Sequence, residues 1–252
     1  MRRPTPLQQS ERNPRLVEQR SEDRTSWFTE TVGHEPPVAR ERWFVRGGRT
    51  YRSWDPGRSK LAGAVVHDWR GDLPEPGERW LYLGAATGTT VSHVADLVGP
   101  EGRVYAIESS LRPFGRLLSF AARWPNVLPI LADARTPERY SAFVPLVDGV
   151  YSDLAQADQI EIALANARRY LRGSGKFLLA LKTSSMGRES SAVEHLALAT
   201  ETLGRSFDLD RSVHLAPHHR AHYFLGGRPR RSLFEAPGGP TSPPGSRARR
   251  SR

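Results

Sequence analysis

The chain has no cysteine, which excludes disulfide staples, thiolate metal sites and a cysteine nucleophile. No apolar run approaches the roughly 18 residues of a membrane span, and the polar N-terminus lacks the apolar centre of a secretory signal. An intracellular, cytoplasmic protein with no membrane partner is therefore expected. Also missing is the G-x-G-x-x-G spacing with which a glycine turn makes room for a pyrophosphate. The net charge of +10 is unevenly placed. Residues 1–26 carry six Arg against four acids and residues 228–252 seven Arg against one Glu, leaving +2 for the middle. The tails are thus suited to loose, sequence-independent contact with polyanions, or simply to solubility.

What is present is organised around the stretch from Trp80 to Glu108. The apolar run Trp80-Leu81-Tyr82-Leu83 reads as a buried strand. It is followed by the small-residue turn Gly84-Ala85-Ala86-Thr87-Gly88-Thr89-Thr90. Val91, Val94, Ala95 and Val98 then recur at helical spacing until Gly99-Pro100 stops the helix, and Val104–Ile107 forms a second strand ending on Glu108. Small residues let the backbone approach a ligand, and the helix start offers unpaired N–H groups. A carboxylate at the second strand tip can take both hydroxyls of a ribose. A nucleoside ligand without phosphates fits this turn, and S-adenosylmethionine is such a ligand. The alternative is that Gly84 and Gly88 only permit a tight turn.

In chain order, residues 1–26 show no apolar periodicity and read as a disordered tail. Residues 27–55 read as a small β appendage, with Arg46-Gly47-Gly48-Arg49 as a hairpin turn between Trp43–Val45 and Thr50-Tyr51. From 56 to 227 helices and strands alternate, which implies a mostly parallel sheet with right-handed crossovers. Ser59 caps a helix over 60–70, and Lys60 sits in its first turn, where the dipole opposes a cation. Further helices are expected over 111–124, 137–147, 156–171 and 188–203, and strands over 127–131, 148–151 and 176–181. The pair 207–214 and 222–225 closes the sheet antiparallel. Residues 228–252 read as a basic disordered tail. In open α/β sheets ligands lie at the carboxyl ends of strands, and the polar residues expected there are Glu108, Asp133, Asp153 and Lys182, with Lys60 within reach. His218, His219 and His222 lack a fourth ligand at metal spacing, so no metal is expected. His93, inside a helix, reads as structural or solvent-facing.

Several of these segments carry a family resemblance. Tyr51–Pro56 with Ser59-Lys60-Leu61-Ala62, Tyr82–Ala85 through His93–Asp96, Val104–Glu108, Pro129–Ala134, Asp153–Gln156 and Lys182 together resemble the fibrillarin-like methyltransferases, over residues 50 to 226. The resemblance implies a Rossmann-like methyltransferase fold with a seven-stranded, mostly parallel sheet. It implies 2′-O-methylation of rRNA and tRNA with S-adenosylmethionine, and partners comprising a Nop-domain scaffold, a kink-turn-binding protein and C/D box guide RNA. The family's Lys-Asp-Lys-His set matches onto Lys60, Asp153, Lys182 and His222, the histidine being placed by Pro217 and by Tyr223-Phe224-Leu225. The donor would be held by Gly84, Ala85, Thr89, Thr90, Glu108, Ser109, Asp133, Ala134 and the segment Asp153, Leu154, Ala155, Gln156. The chain departs from the family pattern at Ser152, at Ala157-Asp158 and at Ala221. Since a lysine acts as base only when desolvation or a neighbouring cation favours its neutral form, Lys182 is expected nearest the hydroxyl. Asp153 would orient it, with Lys60 and His222 in support. The rival readings are a non-catalytic RNA- or partner-binding scaffold and a protein glutamine methyltransferase.

Overall fold

The computed structural model describes residues 7–21, 25–33 and 41–235. Its first part is an antiparallel sheet of β1 (Leu7–Gln9), β2 (Leu16–Arg20), β3 (Thr25–Glu30), β4 (Trp43–Arg46) and β5 (Arg49–Ser53), in the order β1-β2-β3-β5-β4. The expected hairpin is there: Arg46 faces Arg49, and Gly47 and Gly48 take φ of 58° and 73°, the left-handed pair that a two-residue turn needs. The appendage is larger than the sequence predicts. Residues assigned to a disordered N-terminal tail form β1, β2 and the start of β3. Their local signal is short, because Leu16-Val17 is the only buried apolar pair of β2. What orders them is distant: β2 pairs with β3, and Leu16 enters the core of the main domain.

The main domain continues with α1 (Lys60–Val66), β6 (Arg79–Leu83), α2 (Thr89–Val98), β7 (Arg103–Glu108), α3 (Leu111–Ala121), β8 (Val127–Leu131), β9 (Val147–Ser152), α4 (Gln159–Tyr170) and β10 (Leu171–Lys182). It ends with α5 (Ala192–Gly204), β11 (Phe207–Leu209), β12 (Val213–His214) and β13 (His222–Pro229). The sheet runs β11-β13-β10-β9-β6-β7-β8, with the short β12 added beside β13. Strands β6 to β10 are parallel, and β13 is antiparallel to β10. Both faces are covered. Trp80 and Tyr82 of β6 pack towards α1, α2 and α3, while Leu81 and Leu83 pack towards α4 and α5, as the near-continuous apolar run of a buried parallel strand requires. From β6 the chain winds one way through β7 and β8 and then returns to β9 on the other side. Ligands collect at such a reversal of strand order, outside the carboxyl ends. Among the described residues no helix is long and apolar enough to cross a membrane.

Three other expectations change. The stretch 137–147 holds only one short 3-10 turn, Pro137–Tyr140, because Pro145 removes a donor and clashes with a preceding turn. Strand β10 begins at Leu171 and shifts register between Leu171 and Lys176, so Gly173-Ser174-Gly175 is a bulge inside a strand and not a break before it. Arg228 and Pro229 belong to β13, and Arg231–Phe234 forms a further 3-10 turn. Residues 228–234 are therefore ordered where a disordered tail is expected, and the rest of that expectation, 236–252, lies outside the described residues.

One buried carboxylate gathers several of the contacts between the N-terminal sheet and the main domain, beside those made by Arg12, Asn13 and Arg15. Asp96, fully buried on α2, accepts from the Val32 N–H (2.9 Å) and Trp124 Nε1 (2.9 Å) on one oxygen. The other oxygen takes Thr29 Oγ1 (2.8 Å) and Arg52 Nε (2.7 Å). Arg52 also pairs with Glu41 and lies over the Trp124 ring. His93 sits among them, bonded to Thr29 Oγ1 through Nδ1 at 2.9 Å. Burial, reinforced by Arg52, pushes this imidazole down to about 4 against the opposing pull of Glu41. His93 is thus structural and buried. Asp96→Ala strands a buried guanidinium and is expected to cost about 3–5 kcal/mol in denaturant unfolding. His93 binds its proton more readily when unfolded, so its contribution is complete above about pH 6.5 and is lost as pH falls towards 4, by about 1.4 kcal/mol per unit. Unfolding curves across that range should show a loss that His93→Gln abolishes.

Candidate active site

The site forms where β6 and β9 end side by side. The Asp153 N–H continues the ladder by donating to Leu83 O at 2.9 Å. Gly84 bends away at φ 79°, and a Cβ there would stand 2.5 Å from Asp153 O. Only glycine allows these two strand ends to approach so closely. Beside them opens a cleft of about 230 Å³ walled by Gly84, Ala86, Glu108, Asp133, Asp153 and Gln156, with Ser109, Ala134, Leu154 and Ala155 completing it. Larger clefts lie elsewhere among the described residues, but none of these collects the ends of three parallel strands.

Glu108 is fixed by the backbone. Its Oε2 accepts from the Ala86 N–H and its Oε1 from the Ser110 N–H, each at 2.8 Å. Held on both sides, the carboxylate keeps lone pairs for a diol in the cleft. Ala86 itself sits at φ 47°. The outer lip is closed by Arg135, which forks onto Asp158 (2.7 Å to each oxygen) and reaches Gln156 Oε1 (2.7 Å). The departure at Asp158 thus supplies an ion pair between two strand-tip loops. Of the other residues expected at the donor, Ala85 is buried in the core, and Thr90 is buried with its hydroxyl against Tyr82. Thr89 opens α2 beside the cleft and forms no part of its wall.

At the inner end Asp153 of the cleft wall pairs with Lys60, and both Lys60 and Lys182 lie near enough to His222 for their charges to act on it. Ser59 caps α1 by accepting from the Ala62 N–H (3.3 Å) and is itself held by Trp54 Nε1 (3.1 Å). This fixes the first turn so that Lys60 Nζ reaches both oxygens of Asp153, at 2.9 and 3.1 Å. The Tyr82 hydroxyl adds a third contact to Asp153 at 3.3 Å. Burial, reinforced by Asp153, raises Tyr82 well above the ordinary phenol range, so it remains a donor. Asp153 therefore orients Lys60, where the sequence suggested Lys182. What holds Lys182 is Gln159, whose amide spans its peptide: Oε1 accepts from Lys182 N–H (2.9 Å), and Nε2 donates to Lys182 O and to Gln156 O, each at 3.0 Å. His222 faces Lys182 across the β10–β13 pair. Burial, then the charges of Lys60, His219 and Lys182, push His222 down to about 4. It is neutral at ordinary pH, and its Nδ1 is buried with no hydrogen-bond partner among the described residues. Among those residues, no three side chains are disposed to hold a metal ion.

Tyr82 and Gln159 escaped the sequence reading. Tyr82 stands in an apolar run and looks like core, and Gln159 looks like any polar residue at a helix start. The signal each offered was a polar group at a position the fold buries.

Comparison with known proteins agrees with this geometry. The sequence model of the fibrillarin family matches residues 8–231. The chain belongs to the fibrillarin family. It is 46% identical over 180 residues to the rRNA 2′-O-methyltransferase fibrillarin of Giardia intestinalis, covering 71% of this chain and 55% of that protein. It is 39% identical over 200 residues to the fibrillarin-like rRNA/tRNA 2′-O-methyltransferase of Staphylothermus marinus, covering 79% and 85%. The chain thus spans about half the length of the longer fibrillarins it matches. Aeropyrum pernix fibrillarin, solved with natively bound S-adenosyl-L-methionine, superposes with a TM-score of 0.79 at 35% identity, covering 90% of this chain and all of that one. A fibrillarin in complex with Nop5p gives 0.73 at 37% identity, covering 81% and 94%.

Gln159→Leu removes three hydrogen bonds around a fully buried amide. It is expected to cost about 1–3 kcal/mol, and the Lys182 amide should exchange faster with solvent than in the parent chain.

Proposed function

We propose that the chain transfers a methyl group from S-adenosylmethionine to ribose 2′-hydroxyls of rRNA, tRNA or both. The observation that carries this reading is the Lys60–Asp153 pair, 2.9 Å apart, at the inner end of a cleft that Glu108 lines. The residues present suit the donor. Glu108 is pinned for a diol, the cleft is reached by backbone at Gly84 and Ala86, and no phosphate-binding glycine spacing intervenes. Glu108, Ser109, Asp133, Ala134 and the 153–156 segment would hold it.

The donor supplies a methyl already activated on a sulfonium, so the protein's part is alignment and removal of one proton. Lys60, Asp153 and Tyr82 form a fixed group at the strand end. Lys182, clamped by Gln159, is assigned to receive the hydroxyl proton as the O–CH3 bond forms. Neutral His222 faces Lys182 across the β10–β13 pair, beside the place assigned to the incoming ribose.

Recognition of the RNA is assigned in part to other subunits. The relative in complex with Nop5p supports a Nop-domain scaffold, and the family resemblance adds a kink-turn-binding protein and C/D box guide RNA. The same reading puts its action inside the cell, in the cytoplasm. Lys182→Ala should retain donor binding by calorimetry while transfer falls roughly a hundredfold or more, and Asp153→Ala should lose transfer at least as far. Mapping 2′-O-methyl positions in cellular RNA with and without the protein tests the reading itself. Label transferred to protein, with no RNA position changed, would overturn it.

A further inference from the structure

Five of the eight histidines in the chain gather about the turn between β12 and β13 and the end of α1: His222, His219, His218, His67 and His214. The fold gathers them for a local reason. Strands β12 and β13 pair through His214 and Tyr223, and the connection between them is tightened by Leu215 N–H to His222 O (3.0 Å) and His219 N–H to Leu215 O (2.8 Å). Leu215 is fully buried and anchors this turn. His67 arrives from another element, as the residue that ends α1.

The rings form a line leading away from the site. His222 and His219 are 5.7 Å apart, and His219 is fixed by Pro56 O at 2.9 Å. The next residue, His218, lies 5.5 Å from His67. His67 then borders a cleft of about 450 Å³ together with His214, Arg70 and Arg211, and His214 stacks on Tyr223 at 4.6 Å. His67 is pushed down from the ordinary imidazole range by burial, then by His218 and His214, and His219 by burial and then Lys60.

The acids on this path are few. Asp153, at the near end, is taken by Lys60. Asp68 is taken by Arg70, near which Arg12 also lies. Asp210, at the far wall, is held towards its neutral form by burial and by Asp72. A row of crowded imidazoles with its neighbouring acids neutralised lacks one thing, an anion repeated along a line. No side chain of the described structure supplies it.

We propose that this histidine line seats successive phosphates of the RNA strand on one side of the ribose to be methylated. The proposal rests on the functional reading above, which puts a ribose at Lys182 and His222 and so makes the adjoining polyanion an RNA backbone. A phosphate beside the outer rings, His219, His218 and His67, favours their protonated forms, while His222 at the ribose stays neutral. Affinity therefore rises as pH falls through the imidazole range. The arginines of the tails do not titrate there, so they contribute a part that is independent of pH.

The test is anisotropy of labelled single-stranded oligouridylate with the full chain, from about pH 8 to about pH 6, across a salt series. The parent chain should bind roughly tenfold more tightly at the lower pH. The His67→Gln/His218→Gln double variant should lose most of that gain, and its salt slope should fall by about 0.7 for each phosphate contact removed. Its donor affinity should be unchanged. His218→Gln alone, at an exposed ring, should give part of the effect, and it stands as the test if the double variant does not fold. Equal affinity, pH dependence and salt slope in parent and variant would overturn the histidine line while leaving the methylation reading intact. Absence of donor uptake or of RNA methylation by the parent chain would instead sink that reading.

Discussion

The functional half of this molecule depends on the pairing of Lys60 with Asp153. The two residues are 93 positions apart, one at the start of a helix and the other just past the end of a strand. Each placement is unfavourable by itself, since a helix start repels a cation and a part-buried carboxylate gives up water. Together, with the Tyr82 hydroxyl as a further partner, the two costs offset one another. Ser59, Trp54 and Gly84 support this contact from either side: the first two fix the helix start, and the glycine lets the strand ends converge.

A second buried carboxylate has an equivalent role at the other end of α2. Asp96 joins Val32, Thr29, Arg52 and Trp124, which come from separate segments. The helix whose first turn borders the donor cleft is thereby fixed to the N-terminal sheet. Both centres show one economy. In each, both carboxylate oxygens have donors.

How much of this could be read from the chain depended on how local each cause was. The alternation of strands and helices was legible because apolar spacing is a property of neighbours, and Glu108, Asp133, Asp153 and Lys182 could be placed because they follow apolar runs directly. Lys60 stood out for sitting at the wrong end of a helix. The strands near Leu7 and Leu16 were invisible because they have little apolar run of their own and are ordered by β2 pairing with β3 and by Leu16 entering the main core. The clamp from Gln159 to Lys182 crosses from α4 to β10 and leaves no periodic trace. Pro145 and the bulge at Gly173–Gly175 were misjudged in opposite directions, one as tolerable in a helix and the other as a break in a strand.

The fork of Arg135 onto Asp158 has a meaning beyond holding two loops together. It is exposed, so water and dissolved ions compete for it continually. The mouth of the cleft is consequently fastened by a clasp whose grip is set by the surrounding electrolyte, whereas its floor, secured by Glu108 and backbone amides, is not. Traffic through the opening and hold at the bottom are governed by different physics, and each can be tuned without disturbing the other.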